Sequence, residues 1–154
     1  MHISNQSAGI LLYRNNNARL EVFLVHPGGP FFKNKDEGSW SIPKGEFLDD
    51  EEALAAAKRE FEEETGQKIV NGNFIRLTPV TQKSGKIVHA WAIEGDIDHE
   101  VIESNLFEME WPPKSGKMAS FPEVDRAAWF DANTAKIKVN PAQAKLIEEL
   151  VTLI

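Results

Sequence analysis

Residues 45–67 read GEFLDDEEALAAAKREFEEETGQ, and they hold an electrostatic contradiction. The segment is rich in alanine, leucine and glutamate, which are good helix formers. Asp49 or Asp50 can cap a helix running from about Glu51 to Thr65, and Gly66 is a natural left-handed cap at its end. The last turn nevertheless carries Glu62, Glu63 and Glu64. The carbonyl end of a helix already holds partial negative charge, so acids there cost from a few tenths to about 1 kcal/mol each. Glu60 precedes Glu63 and Glu64 by three and four residues, where like charges repel by about 0.2–0.5 kcal/mol per pair. At about 100° per residue these three carboxylates fall within one arc of roughly 100°. Ala53, Ala56 and Ala57 lie on or near that arc, so the surface is acidic and low in bulk. A small hard cation suits it, since Mg²⁺ takes oxygen ligands and commonly joins carboxylates to substrate phosphates. A solvated acidic face is the alternative that the three glutamates alone leave open.

The flanking residues narrow the choice. Glycine, five residues, glutamate, seven residues and then Arg-Glu-Phe-x-Glu-Glu-x-Gly is the order here, with Gly45, Glu51, Arg59, Glu60, Glu63, Glu64 and Gly66 at the fixed points. This resembles the signature of the Nudix hydrolases, enzymes that cleave nucleoside diphosphates linked to another group. Two positions depart mildly, Phe61 standing where the family prefers an aliphatic residue and Gln67 where it expects a bulky apolar one. Both departures concern packing rather than metal chemistry.

The resemblance implies an α+β fold, an α/β/α sandwich around a mixed central sheet. It also implies Mg²⁺, or Mn²⁺, held by Glu60, Glu63 and Glu64 with the Gly45 carbonyl as a further ligand. Arg59 and Glu51 would form an ion pair holding the loop to the helix, and Gly66 completes the structural set. A metal-activated water would attack phosphorus without a covalent protein intermediate. The family often recruits a carboxylate from outside the signature as a base or additional ligand, and Glu108 and Glu110 are the candidates. They share one face of the alternating stretch FEMEWPP, and a solvent-facing pair explains them as well. Lys44, in WSIPKG, is read as a phosphate contact or a solvated loop lysine. That stretch resembles its counterpart in family members acting on dinucleoside polyphosphates or inositol pyrophosphates. Trp40 and Trp91 are candidates for stacking a base or for the core, while His26 and His89 read as structural.

Outward from this segment, AGILLYR and LEVFLVHP are β-prone runs separated by NNNA, the pattern of a hairpin. GGPFFKNKDEG reads as an irregular loop and SWSIP as a short extended piece, because a residue before proline avoids the helical region. NFIRLTPVTQ and IVHAWAIEGDI follow as strands joined by KSGK, with further strands at FEMEWPP and RAAWFD. At the end Asn140 caps, Pro141 takes the first helical position, and Leu146, Ile147, Leu150 and Val151 form an apolar stripe.

A chain of 154 residues with 42% apolar content fits one domain spanning 1–154. Its net charge of -7 argues against a nucleic-acid partner, which needs a basic patch. The absence of cysteine excludes thiol chemistry. No secretory pattern or membrane-length apolar run is present, so the expected setting is cytoplasmic, as a monomer or homodimer. The leading expectation is a Mg²⁺-dependent pyrophosphohydrolase of a dinucleoside polyphosphate or nucleoside triphosphate. The alternative is a non-catalytic module of the same fold that binds a nucleotide without cleaving it.

Overall fold

The first two strands, β1 (Gln6–Asn16) and β2 (Arg19–Pro27), form the expected hairpin in a computed structural model that describes residues 5–69 and 72–154. Their register pairs Asn16 with Arg19, leaving Asn17 and Ala18 as a two-residue loop. Both loop residues have positive φ, 54° and 66°, as a type I′ turn requires. Beyond Tyr13 toward its start, β1 exchanges β2 for β3 (Lys44–Glu46), with Ala8 opposite Gly45 and Gly9 opposite Lys44. The extended piece before β3 continues the wedge between the two strands, bridging Val25 to Ser41 and Trp40 to Val139.

On its other edge β1 runs parallel to β6 (Ile87–Glu94), which also pairs with β4 (Ile75–Arg76) and β5 (Val80–Thr81). The run 73–82 is thus two short pieces, because Pro79 cannot donate to the ladder. The opposite edge is closed by β9 (Val124–Asp131), antiparallel to β2. The sheet order is β4-β6-β1-β2-β9.

β1 is buried almost continuously, as a strand covered on both faces must be. Ile10, Leu12, Phe23 and Val25 point to α1 (Ala53–Thr65), where they meet Ala56, Ala57 and Phe61. Leu11, Tyr13, Val22 and Leu24 point to the other layer, with Ala135 of α2 (Ala132–Lys138) and Leu146, Ile147 and Leu150 of α3 (Ala144–Leu153). The sandwich expected from the sequence is therefore present. Val151, expected in the apolar stripe, is instead exposed. Asn140 accepts from the Ala142 amide and Pro141 opens a 3₁₀ turn, so the cap leads into α3 one turn early.

Other differences are local. α1 starts at Ala53 and its N-cap is Glu52, without a side-chain hydrogen bond, so neither Asp49 nor Asp50 caps it. α2 had no counterpart in the sequence reading. Its cap is Asp131, which accepts from the amide and hydroxyl of Thr134. A separate ribbon of β7 (Leu106–Glu110) and β8 (Met118–Pro122) stands off the main sheet. Phe107 and Met109 are half-buried on one side of it, and Glu108 and Glu110 are exposed on the other. No helix among the described residues is long and apolar enough to cross a membrane.

Candidate active site

The acidic arc of α1 is only partly turned inward: Glu60 is buried, whereas Glu63 keeps a surface position. Ala56 and Ala57 are fully buried against the sheet, so they are the packing face of the helix and not an open cation surface. Their small size brings the helix close to β1 and β3 and carries Glu60, 9% exposed, in with them. Glu60 lies directly against β3: a methyl group added to Gly45 would sit 2.0 Å from its carboxylate. Glycine is needed at 45 because any side chain there would displace that carboxylate. Gly66 closes the helix at φ 75°, its amide donating to the Glu62 carbonyl.

Arg59 draws the other acids together. It donates in a fork to Glu51, Nε and Nη2 each at 3.0 Å, and its Nη1 donates to Glu60 at 2.8 Å. Glu63 is held more loosely, at 3.3 and 3.4 Å from the same nitrogen. Hydrogen bonding to Glu51 raises the pKa of the guanidinium further, so it stays charged. The departures from the family pattern are absorbed locally, Phe61 tilting on Phe23 at 6.2 Å between centroids and Gln67 donating to the Asp98 carbonyl.

Glu64 turns the other way, into a cavity of about 150 Å³ shared with Lys44, Ser41 and Glu123. Its Oε1 accepts from the Lys44 backbone amide at 3.4 Å. Burial, reinforced by Glu60, pushes the Glu64 carboxyl up to about 8. Burial and the neighbouring Glu63 raise both Glu60 and Glu123. The Lys44 ammonium is pushed down, again chiefly by burial. Crowded carboxylates beside a partly desolvated lysine are the kind of grouping that a bound ion of either sign would relieve.

Glu123 was missed in the sequence. It occupies the junction between β8 and β9, where its amide donates to the Asn105 carbonyl and its carbonyl accepts from Gly28. A position fixed by such a junction leaves no periodic signal. Glu110, read as a candidate base, uses its carboxylate to accept from the Lys114 and Gly116 amides of the ribbon turn. Glu108 is exposed on the same ribbon face and lines neither the Glu64 cavity nor the groove described next.

The Glu64 cavity shares Pro27, Ser41 and Lys44 as lining with a neighbouring groove of about 350 Å³. Trp40 forms part of its wall but not a stacking platform: the edges of His26 and Phe130 meet its ring, Arg126 covers it, and the residue is 5% exposed. Trp91 lines neither cavity and is buried in the layer that holds α1, correcting its reading as a base-stacking residue. His26 is fully buried and joins Asp125 to the carbonyl of Lys35, fixing the loop that borders the groove. His89 pairs with Gln6.

The donor set suits a hard divalent cation in kind, being all oxygen and strongly acidic, with repulsion that such an ion would relieve. Among the described residues, however, no three carboxylate or imidazole groups already converge into a coordination site. Glu63 is the most loosely held of the three acids around Arg59, its contacts being the longest that this guanidinium makes.

The sequence matches the NUDIX domain family over residues 4–150. No curated protein matches the chain. Among solved structures, the Ap4A hydrolase of C. elegans in a binary complex is 18% identical with a TM-score of 0.67, covering 96% of each chain. The NUDIX domain of Shewanella oneidensis NrtR bound to ADP ribose is 17% identical with a TM-score of 0.64, over 99% of this chain and 89% of the other. A MutT protein from Methanosarcina mazei is 16% identical with a TM-score of 0.60, over 96% and 92%. At these identities the likenesses concern the fold.

Proposed function

We propose, from this chain's membership of the Nudix family, that it is a pyrophosphohydrolase that cleaves a phosphoanhydride of a dinucleoside polyphosphate or a nucleoside triphosphate with a divalent cation, Mg²⁺ or Mn²⁺. The observation that carries this reading is the meeting of Glu64, Glu123 and Lys44 in one cavity that adjoins, across Ser41 and Lys44, a groove large enough for part of a nucleotide. Glu60, Glu63 and Glu64 would hold the cation, which when bound supplies Lewis-acid polarisation of phosphate oxygens and a lowered water pKa.

The residues of the chain divide the remaining work. Lys44 at the junction of the two cavities receives the phosphate chain, and an anion beside it restores the ammonium that burial disfavours. Glu123 is poised as the proton acceptor for the attacking water, because burial and Glu63 raise its basicity above that of an exposed carboxylate. Arg59 holds Glu51 and Glu60 in place. Gly45 gives the Glu60 carboxylate its room. We place this activity in the cytoplasm, where nucleoside polyphosphates are found.

Phosphate release from a panel of nucleoside triphosphates, dinucleoside polyphosphates, nucleotide sugars and inositol pyrophosphates, in millimolar Mg²⁺ and in excess chelator, tests the proposal. Metal-dependent hydrolysis of one of the first two classes is expected. Robust turnover in chelator overturns the chemistry, and cleavage of nucleotide sugars alone overturns the substrate class.

A further inference from the structure

The groove beyond Lys44 differs in character from the acidic cavity. Among the described residues no carboxylate lines it; Ser41, Gln82, Asn140 and Gln143 supply neutral hydrogen-bonding groups, and Phe32 and Lys35 also line it. A polyanion would need a denser set of cations than Lys35 and Lys44 provide. A flat heterocycle with polar edges fits better.

The orientation of one amide in this groove follows from the hydrogen bonds. The Ile42 backbone amide can only donate, and it donates to Gln143 Oε1 at 3.0 Å. Gln143 Nε2 is therefore a donor, and it reaches Gln82 Oε1 at 3.0 Å and Ser41 Oγ at 3.1 Å. Gln143 is 1% exposed, so this arrangement is shielded from water. With its oxygen committed to Gln143, the half-buried Gln82 turns its amide nitrogen away from that bond, leaving two N–H groups to donate. Its backbone is fixed as well, because Gln82 N donates to the Lys86 carbonyl and Gly85 N to the Gln82 carbonyl.

We propose that this groove is the nucleobase subsite and that Gln82 is its specificity-determining residue, donating a hydrogen bond to a carbonyl acceptor on the base edge. This rests on the nucleotide reading of the adjoining acidic cavity. The expected preference is for a base bearing an oxo group over one bearing an amino group at the same position, since two donors facing each other leave both unpaired.

Gln82→Glu is the sharpest test. It keeps an oxygen for Gln143 Nε2 to donate to and replaces the outward donor with an acceptor. The experiment measures kcat/KM for the adenosine and inosine forms of the nucleoside triphosphate and of the dinucleoside tetraphosphate, in millimolar Mg²⁺. The parent protein should favour inosine over adenosine in whichever class it cleaves, and Gln82→Glu should shift that ratio toward adenosine by at least about tenfold. The ratio is internal to each protein, so a general folding defect, which lowers both rates together, does not mimic the result. Cleavage with an unchanged ratio, or equal losses on both bases, overturns the subsite while leaving the hydrolase reading intact. No cleavage of either class overturns the hydrolase reading and the subsite with it.

Discussion

Gly45 and Glu60 occupy one volume between them: a Cβ on residue 45 would lie 2.0 Å from the Glu60 carboxylate. The contact is with the far end of a side chain and not with backbone, so a larger residue at 45 moves the acid before it disturbs the sheet.

Gly45→Ala should therefore separate activity from folding. Turnover should fall by at least about tenfold, equivalent to about 1.4 kcal/mol of barrier, while the melting midpoint changes by only a few degrees. Loss of the cooperative melt together with activity would mean that the strand, and not the carboxylate, bears the strain.

Glu64 predicts an inverted pH dependence for the metal-free protein. The folded chain keeps the Glu64 proton up to about pH 8, whereas the ordinary value is 4.5. Between these values the folded state binds the extra proton, so its stabilising contribution is complete at low pH and is lost as pH rises through 8. In chelator the melting midpoint should fall between pH 5 and pH 8.5, and Gln at 64 should flatten that slope. At pH 8.5 in chelator Glu64→Gln should match or exceed the parent in stability. In millimolar Mg²⁺ the order should reverse, because an ion that binds only the folded form stabilises the parent more. A variant less stable than the parent in chelator would show that Glu64 supports the fold itself.

The two outlying carboxylate positions should behave differently. Glu123→Gln is expected to lower turnover at least about tenfold, and Glu110→Gln to leave it within about twofold of the parent, an effect below about 0.5 kcal/mol of barrier. Steady-state rates at saturating Mg²⁺ decide between them, and the opposite order would return the proton-accepting role to the ribbon.

Ala18 holds φ 66° in the β1–β2 turn, a conformation that costs a non-glycine residue about 1–2 kcal/mol. Glycine relieves this strain but frees the unfolded chain, which offsets part of the gain. Ala18→Gly should raise stability by about 0.5–1 kcal/mol, read from a denaturant midpoint, with unaltered turnover. A lower midpoint would mean that the strain is relieved elsewhere in the hairpin.

Local rules made much of this molecule legible before its structure. The turn residues between two apolar runs announced the hairpin, and Gly66 announced the end of α1. Glutamate spacing identified the shared face of Glu60, Glu63 and Glu64, because a helix converts sequence separation into a common side, whereas the Arg59–Glu51 pair was legible only through the family resemblance. The positions that escaped are those that topology brings together. Glu123 sits at a strand junction, and Gln82 and Gln143 meet across 61 residues with no common period. Glu108 and Glu110 show the limit from the other side: alternation placed them on one face of a strand, but could not tell that the strand belongs to a detached ribbon. α2 did carry a signal, the Asp131–Thr134 cap, on a helix of seven residues too short for periodicity to show.

The two-sided core has an evolutionary consequence. Phe23 and Val25 on one face of β2 support the layer with α1 and the acids, whereas Val22 and Leu24 on the other support the layer with Trp40 and α3, beside which Gln143 sits. Bond-breaking machinery and the groove therefore inherit their rigidity from opposite sides of one sheet. Substitutions can accumulate under the groove, and the ligand repertoire can drift, while the hydrolytic apparatus remains anchored to a layer those changes do not repack.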